Sequence, residues 1–514
     1  MYLLKNVVVP ISMKIDLKYQ MSKKLKLPLN SINNFKVIQR SIDARKKNNL
    51  KFNYTILTEL PSKYLKNPDV LEYKYPEPYI QTHRKLSSKN PFIIGAGPAG
   101  LFAALALVEK GFQSYIFERG DKIEDRIKRV SDFWQKGILD EESNVQFGEG
   151  GAGTFSDGKL TSRKSDYYTN QVTKYLIQFG ADQKISYEAL PHLGTDTIRD
   201  IVLNIRKYLE EKGCKFFWRN KLENLNIEND KITSVRINGK EYKPEIIILA
   251  IGNSARDTFE MLSQKTEMES KPFAVGFRIE HSQDFINEAF YGEKTDFTIT
   301  GPASYRLTAQ DGKKGIYSFC MCPGGFVIPA SSEKDGLVLN GMSFLKRDNK
   351  FANAAIVVTV NEVDFGQGIL AGMKFQRKIE KKCFQSDHPY VAPAQKGLDF
   401  MNNNTNDSLS ETSYKPGIIF KDLNNILPSN IIKALITGLN SFEKRISGFA
   451  NKGILLAPET RTSSPVRILR DKVTFESATI SNLYPIGEGS GYAGGIMSSA
   501  ADGFKVGSVF AYKP

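Results

Sequence analysis

Three glycines, Gly95, Gly97 and Gly100, have the spacing that lets a backbone bind phosphate groups. They stand in PFIIGAGPAGLFAALALVEKGFQSYIFERG, residues 91–120, between a short apolar strand and an Ala/Leu-rich helix. The first permits a tight strand-to-helix turn, the second lets the backbone approach a pyrophosphate, and the third lets helix and strand pack closely. The helix N-terminus supplies free N–H groups to the phosphates. Because Glu118 follows where a ribose-binding carboxylate belongs, the segment predicts a bound dinucleotide.

The same order of strand, glycine-rich turn and small-residue helix returns in LYPIGEGSGYAGGIMSSAADGF, residues 483–504. A protein that binds only NAD does not need this return segment, whereas many FAD proteins use one to hold the ribityl chain. Gly487, Glu488 and the helix after Gly494 would hold this half, with the helix dipole favouring negative charge on the flavin. EIIILAIG, residues 245–252, is typical of the buried strand before the chain leaves such a domain. FAD is therefore the predicted cofactor.

A second glycine-rich segment, QFGEGGAGTFSDGKL at residues 146–160, lacks a preceding strand and a following apolar helix. It is read either as a loop along the FAD pyrophosphate or flavin edge, or as a flexible surface loop. Without a second nucleotide domain, NADH or NADPH, if used, would visit the flavin transiently. The predicted cofactor-binding residues are Gly95, Gly97, Pro98, Ala99, Gly100, Glu118, Arg119, Gly150, Gly151, Gly153, Gly252, Gly487, Glu488, Gly494, Gly495 and Ile496.

Two thiols and two arginines are the predicted catalytic residues. In FCMCPGG, residues 319–325, Cys320 and Cys322 would share one face of a strand, as a reactive thiol beside the flavin or as buried structural cysteines. In RTSSPVR, Arg461 and Arg467 precede the C-terminal FAD segment. They would clamp a carboxylate substrate or stabilise an anionic reduced flavin, the alternative being two ordinary arginines on a solvated edge strand. The dispersed histidines predict no metal site.

The strand and helix patterns that position these residues, together with the length of 514 residues, predict an α/β chain of several domains. A Rossmann-like FAD/NAD(P)-binding domain is expected over 89–271 plus 475–514. A small N-terminal α/β domain is expected over 1–88, and an inserted mixed α+β substrate domain over 272–474.

Composition narrows the class of protein further. With 514 residues, 41% hydrophobic and 25% charged, the chain is typical of a globular protein. No apolar run suits a membrane span, the N-terminus lacks a signal-peptide pattern, and 4 cysteines are too few for a disulfide scaffold, so a cytoplasmic protein is expected. The net charge of +15 suits a polyanion such as RNA, but the scattered lysines favour a general compositional bias.

Taken together, the motifs resemble a family of largely uncharacterised, mostly bacterial FAD-dependent dehydrogenases. The matching segments are RSIDAR, GAGPAG, FGEGGAGTFSDGKL, GNSARDTF, FCMCPGG, RTSSPVR and GEGSGYAGGI, which span nearly the full length. The resemblance implies a glutathione-reductase-like FAD fold with a small N-terminal domain and a C-terminal substrate domain. Asn253 stands where this family commonly carries histidine.

Three functions follow as hypotheses. The leading one is an FAD-dependent oxidoreductase of the dehydrogenase type that transfers a hydride to or from flavin N5 on an unknown small-molecule substrate. The second is a flavoprotein acting on tRNA, motivated by the basic balance and the appended N-terminal domain. The third is a redox sensor that retains FAD without turnover. The sequence does not predict the oligomeric state.

Overall fold

The computed structural model describes residues 1–11, 13, 15–60, 67–79, 84–161, 166–293, 295–406, 409 and 411–513. The N-terminal elements are β1 (Tyr2–Pro10), α1 (Leu17–Leu25), β2 (Phe35–Asp43), β3 (Lys51–Thr58) and β4 (Val70–Glu72). The strands form an antiparallel sheet in the order β2-β3-β1-β4. Alternate apolar residues of β1 and β3 face α1, because successive side chains of a strand point to opposite faces.

A five-stranded parallel sheet carries the first glycine-rich turn. The elements that build and surround it along this part of the chain are β5 (Arg84–Leu86), β6 (Phe92–Ile94), α2 (Pro98–Glu109), β7 (Tyr115–Glu118), α3 (Ile123–Lys136), α4 (Tyr167–Gln178), α5 (Gly194–Glu211), β8 (Lys215–Trp218), β9 (Leu222–Glu228), β10 (Lys231–Ile237), β11 (Lys240–Tyr242), β12 (Ile247–Leu249) and α6 (Arg256–Leu262).

The remaining elements form a second large sheet and then return to the first. In chain order they are β13 (Met268–Ser270), β14 (Phe273–Ser282), α7 (Gln283–Tyr291), α8 (Phe297–Thr300), β15 (Thr308–Asp311), β16 (Lys314–Cys322), β17 (Phe326–Pro329), β18 (Leu339–Met342), β19 (Phe351–Val360), α9 (Glu362–Phe365), α10 (Ala371–Cys383), β20 (Ala392–Lys396), α11 (Gly397–Asn402), β21 (Ile418–Phe420), α12 (Ser429–Arg445), β22 (Ile454–Glu459), β23 (Val466–Ile468), β24 (Leu483–Pro485), α13 (Ile496–Gly507) and β25 (Phe510–Tyr512).

The parallel sheet has the order β24-β12-β6-β7-β8, so the C-terminal strand β24 lies beside β12. Every residue of β6, β12 and β24 is buried, as expected of a parallel sheet covered on both faces. Helix α2 is apolar on nearly all sides because it packs against the sheet and against α13. The two helices therefore bring the first and last glycine-rich turns together.

The second sheet has seven strands in the order β15-β16-β19-β14-β22-β20-β21, and only the β20–β21 pair is parallel. Its long central strands β14 and β19 are buried almost throughout, and α12 covers one face. The chain is thus mixed α/β, and the predicted domain bounds stay a prediction. Within the described part of the chain, no helix combines the length and apolar character that crossing a bilayer requires.

Candidate functional site

A cavity lies between the parallel sheet and the seven-stranded sheet. On one side it is bordered by the segments that follow the carboxyl ends of β6, β12 and β24. On the other side it is bordered by Phe319 and Cys320 near the end of β16, by residues of β18, and by Glu459 and Arg461 at the end of β22. Crevices at the carboxyl ends of parallel strands are the usual ligand sites of open α/β sheets.

One side of the cavity, here termed the glycine wall, consists mainly of backbone. Its members are Gly95, Gly97, Pro98, Ala99, Gly148, Gly151, Ala152, Gly153, Gly252, Gly494, Gly495 and Ile496. A Cβ added at Gly252, Gly494 or Gly495 would meet no atom within 4 Å, so these positions border open space. Such a wall can accept a bulky ligand against its main chain.

The first glycine turn shows a different role for each glycine. Gly95 has φ +104°, and a Cβ there would lie 2.3 Å from the carbonyl oxygen of Ala250, so this residue permits close strand packing. A Cβ at Gly100 would lie 2.0 Å from the Gly95 carbonyl oxygen, so the helix approaches the turn closely and Gly100 does not line the cavity. A Cβ at Gly97 would make only an ordinary contact with Gly151, at 3.7 Å. Gly97 therefore leaves room for a ligand rather than for neighbouring chain.

Glu118 lines the cavity, yet its carboxylate is already held by the chain. It accepts hydrogen bonds from the backbone N–H groups of Ala96, Gly120 and Gly148 at 2.8, 2.9 and 2.9 Å. A carboxylate has about four acceptor positions, so one is left for a ligand hydroxyl. The predicted ribose contact stays a prediction, and the visible role of Glu118 is to join the turn, the strand end and the loop 146–160.

Arg119 also lines the cavity and is held by acidic partners. Its guanidinium donates to Asp257 in a bidentate pair at 2.9 and 3.0 Å and to Glu142 at 2.8 Å, and it stacks 4.1 Å from the centre of the Phe147 ring. These contacts leave its side chain mostly buried at the rim. Arg119 is thus placed at the cavity as an anchored cation.

The loop 146–160 borders the cavity over much of its length. Gly151 and Gly153 line it, whereas Gly150 packs against Thr154 and does not. Sequence reasoning missed Arg126, which is fully buried under the loop and donates to the carbonyl oxygens of residues 144, 145, 148 and 149. Burial lowers the pKa of Arg126 to about 9. These bonds to the main chain show why the loop has a fixed shape here.

The C-terminal turn contributes Glu488, Gly494, Gly495 and Ile496 to the cavity. The amide of Asn253 donates to Glu488 at 2.8 Å, and burial raises the pKa of this carboxyl above its ordinary value. Gly487 does not line the cavity, because it lies between α2 and α13, where a Cβ would meet that of Ala99 at 2.7 Å. Asn253 is therefore a hydrogen-bond partner of the predicted acid.

The opposite side, here termed the ionic wall, comprises Asp157, Lys159, Cys320, Glu459 and Arg461. The Lys159 ammonium lies 2.7 Å from Asp157, and Glu459 lies 3.0 Å from the guanidinium of Arg278, which is fully buried behind it. Burial raises the pKa of Glu459 to about 7, although Arg278 opposes the shift. A carboxyl group in this state can donate or accept a proton at neutral pH.

Cys320 and Cys322 lie on an irregular part of β16, and the expectation that they share one face of the strand stays a prediction. The pairing of β16 with β19 shifts register between Phe319 and Cys322, and Cys320 adopts φ +44°. As a result Cys320 lines the cavity and Cys322 lies fully buried behind it. Alternation along a strand holds only where the ladder is regular, and a bulge re-aims the side chains.

Arg461 lines the cavity in a network of buried charges. It donates to Glu380 at 2.9 Å and to Ser332 at 2.6 Å, and Glu380 also pairs with the buried Arg256 at 2.7 Å. Despite the penalty of burial, Arg256 and Arg461 hold the pKa of Glu380 well below its usual range. Sequence reasoning missed Arg256 and Glu380; GNSARDTF contains the first, but nothing marks the second in its lysine-rich helix.

Arg467 does not lie at the cavity. It pairs with Glu269 at 2.5 Å across the β13–β23 ladder, and its side chain is 37% exposed. Of the four predicted catalytic residues, the structure therefore brings Cys320 and Arg461 to the cavity and leaves Cys322 behind the wall. Among the described residues, no cluster of three or more histidine, cysteine, aspartate or glutamate side chains is arranged to hold a metal.

A glycine-lined cavity at the carboxyl ends of a parallel sheet is typical of α/β proteins that bind a nucleotide. Residues 272–462 match the family described as FAD-dependent protein, C-terminal domain-like, and residues 6–59 match a domain of unknown function. An uncharacterised protein of Clostridium beijerinckii is 42% identical over 508 residues, which cover 95% of this chain and 94% of the relative. The chain belongs to the family of FAD-dependent proteins that this domain and this relative represent, and its cofactor is FAD.

Solved structures resemble the chain more distantly. CtdE in complex with FAD is 10% identical with a TM-score of 0.33, covering 82% of this chain and 83% of that one. Tetracycline destructase Tet(55) is 11% identical with a TM-score of 0.36, covering 82% and 79%. A geranylgeranyl bacteriochlorophyll reductase-like protein of Thermoplasma acidophilum is 12% identical with a TM-score of 0.33, covering 81% and 76%. Similarity at this level does not extend to activity or substrate.

Proposed function

We propose that the chain is an FAD-dependent oxidoreductase of the dehydrogenase type whose small-molecule substrate enters the cavity between the two sheets. The observation that supports this most directly is that one cavity is bordered by the glycine wall on one side and the ionic wall on the other. Backbone on one side suits a cofactor, and anchored charges on the other suit a polar substrate. FAD, when bound, supplies the capacity to accept or donate a hydride.

The residues of the glycine wall fit this cofactor. Gly97, the start of α2 and the loop 146–160 would hold the pyrophosphate, because the first N–H groups of a helix lack acceptors within it. Glu118 has one acceptor position left for a ribose hydroxyl. Gly252, Glu488 and the start of α13 would hold the flavin half, where open space adjoins the backbone. This assignment corresponds to a Rossmann-like, glutathione-reductase-like FAD domain with 272–474 as the substrate domain.

The ionic wall would bind and orient the substrate. Arg461 is held by Glu380 and Ser332, and Lys159 by Asp157, so each cation points from a fixed position. Glu459 would hold or release the proton that accompanies substrate oxidation or reduction, since burial keeps its pKa at about 7. These residues supply positioning, electrostatics and a proton, and the redox step belongs to the cofactor.

The test is an absorbance spectrum of the purified protein followed by anaerobic addition of NADH and then NADPH. Flavin bands that bleach with either donor support the oxidoreductase and identify the reductant. Bands that resist both donors but bleach with a substrate drawn from a panel of small alcohols, amines and acids support a substrate-reduced dehydrogenase. Flavin that no donor and no substrate reduces contradicts the proposal and leaves the sensor hypothesis.

A variant pair assigns the result to the ionic wall. Arg461→Lys keeps the charge but cannot reproduce the guanidinium hydrogen bonds to Glu380 and Ser332, so we expect weaker substrate binding with unchanged flavin content. Arg467→Lys is the matched control, because Arg467 lies away from the cavity. Equal turnover and equal KM in both variants would remove Arg461 from the proposed site.

A further inference from the structure

We propose that Cys320 and Cys322 form a redox-active dithiol whose substrate is a small disulfide. Cys320 would attack the substrate from the cavity wall, and Cys322 would complete the exchange from behind it. Only the return of the oxidised pair to the dithiol rests on the proposed function, because the reduced cofactor would supply those two electrons.

The positions of the two thiols suit these separate roles. Cys320 borders the cavity, while Cys322 is fully buried and its Sγ lies 3.3 Å from the carbonyl oxygen of Cys320. The Cys320 backbone has φ +44°, a region that residues other than glycine seldom adopt. Strained backbone of this kind clusters at functional sites, where surrounding contacts hold it. Here the guanidinium of Arg278 holds it by donating to the Cys320 carbonyl oxygen at 2.9 Å.

The charges that face the pair favour a thiolate at Cys320. Hydrogen bonding with the Cys322 thiol lowers the pKa of Cys320, and the nearby Lys159 and Arg278 charges act in the same direction. Lys159 itself lies 3.9 Å from the Cys322 sulfur. The acidic groups that face the pair are Asp157 from the loop 146–160 and Glu459 from β22, and both are already paired with cations. Thiolate character and access to solvent are what make a cysteine reactive.

The other two cysteines show what inert packing looks like in this chain. Burial raises the pKa of Cys214 to about 11, and it raises that of Cys383 further. Both lie in apolar surroundings among the core residues, with no thiol partner among the described residues. The lowered pKa of Cys320 therefore comes from the charges and hydrogen bonds at its site, since burial alone raises the pKa of the other two thiols.

The exchange balances without a further reagent. The Cys320 thiolate attacks one sulfur of the substrate R–S–S–R, a Cys320–S–S–R bond forms, and R–S⁻ leaves. Cys322, once its proton has passed to the R–S⁻ released in the first step, attacks the Cys320 sulfur, and the second R–S⁻ leaves. The two thiols have then been oxidised to one intrachain disulfide, and the substrate disulfide has been reduced to two thiols.

The experiment treats the reduced, desalted protein with the disulfide reagent DTNB under native conditions and follows thiol release and intact mass. The wild type is expected to release two reagent thiolates rapidly and to keep no adduct, with peptide mapping joining Cys320 to Cys322. Cys322→Ser is expected to release one and keep the adduct on Cys320. Cys320→Ser is expected to slow the native reaction about tenfold or more. Cys214→Ser is the control and should match the wild type.

Three outcomes would overturn the inference. Two come from the DTNB reaction: an adduct retained on the wild-type chain, and modification of Cys320 only after unfolding. The third comes from treating the reduced wild type separately with hydrogen peroxide and with glutathione disulfide: an intrachain disulfide that forms with the peroxide but not with glutathione disulfide. Because peptide mapping uses the wild type, the test stands even if a variant fails to fold. The exchange needs no reduced flavin, so a disulfide that forms in a protein whose flavin resists every reductant supports the dithiol while contradicting the proposed function.

Discussion

The glycine wall and the ionic wall border the same cavity, but the first consists mainly of backbone and the second mainly of charged side chains. The glycine wall is mostly main chain whose neighbours would collide with any added carbon at Gly95 and Gly148, while Gly252 and Gly494 border open space. The ionic wall is a set of side chains in which each charge has a partner, such as Arg461 with Glu380 and Lys159 with Asp157. A wall of backbone gains its shape from sterics, whereas a wall of charges must be fully paired to be stable.

The largest effect that would test this contrast is expected at Glu380. Glu380→Gln keeps the shape of the side chain but leaves Arg256 and Arg461 buried without their counter-charge. We expect the free energy of unfolding to fall by about 3–5 kcal/mol. Chemical denaturation monitored by fluorescence measures it. Glu411→Gln, in the exposed pair with Lys350, should change stability by less than about 1 kcal/mol. A loss at Glu380 as small as this would show that the ionic wall does not depend on its pairing.

The next effect concerns the pH dependence of stability. Glu459 holds its proton in the folded state up to a pKa of about 7, whereas the unfolded chain releases it near the ordinary pKa of 4.5. Its stabilising contribution is therefore complete below the unfolded pKa and is lost as pH rises towards 7, by about 3 kcal/mol at most. In Glu459→Gln, the free energy of unfolding should therefore fall less between pH 5 and 8 than it does in the wild type. Denaturation at several pH values checks it, and an unchanged profile would contradict the pKa assignment.

A smaller loss of stability is expected on the glycine wall at Glu118. Glu118→Gln keeps one acceptor oxygen but places an NH₂ group against backbone N–H donors. We expect a loss of about 2 kcal/mol in the free energy of unfolding, because buried donors are left unpaired. Glu210→Gln on the exposed surface of α5 is the control. Equal stability of both variants would mean that the glycine wall holds its shape without this carboxylate.

The smallest effect in free energy should appear in cofactor affinity alone. Gly97→Ala adds a Cβ that makes only an ordinary contact at 3.7 Å, so the fold should tolerate it. The added carbon takes space next to the predicted pyrophosphate site, and FAD should bind about tenfold more weakly, which is about 1.4 kcal/mol. Gly336→Ala, whose Cβ would also have its nearest neighbour at 3.7 Å but lies outside the cavity, is the matched control. The affinity is measured by titrating both apoproteins with FAD. Equal affinities of the two variants would show that Gly97 does not lie against the cofactor.

Local sequence patterns predicted the parts of the fold that local sterics decide. The strand before Gly95, the helix after Gly97 and the C-terminal return segment all stand where the glycine spacing placed them. A tight turn needs glycine at a fixed position whatever the rest of the chain does. The positions of Gly100, Gly150 and Gly487 show the limit of this reasoning, because spacing alone does not reveal whether a glycine faces a ligand or neighbouring parts of the chain.

The predicted catalytic residues also show that local sequence does not reveal which side chains reach the cavity. The spacing of Cys320 and Cys322 predicts two equivalent thiols, whereas at the irregular end of β16 Cys320 borders the cavity and Cys322 is buried. Arg461 and Arg467 looked equivalent in RTSSPVR, yet only Arg461 reaches the cavity. A bulge depends on the partner strand as much as on the strand itself, so a single segment cannot predict it.

The sequence by itself therefore determined the glycine turns and the buried parallel strands, because these rest on short-range sterics and hydrophobicity, and its C-terminal return segment indicated FAD as the cofactor. Only the tertiary structure decided the ionic wall. Arg461 meets Ser332 and Glu380 there, Glu459 meets Arg278, and each pair joins segments far apart in the chain. Charge pairing is a matter of distance in space, and burial sets its strength, so neither can be read from the order of residues.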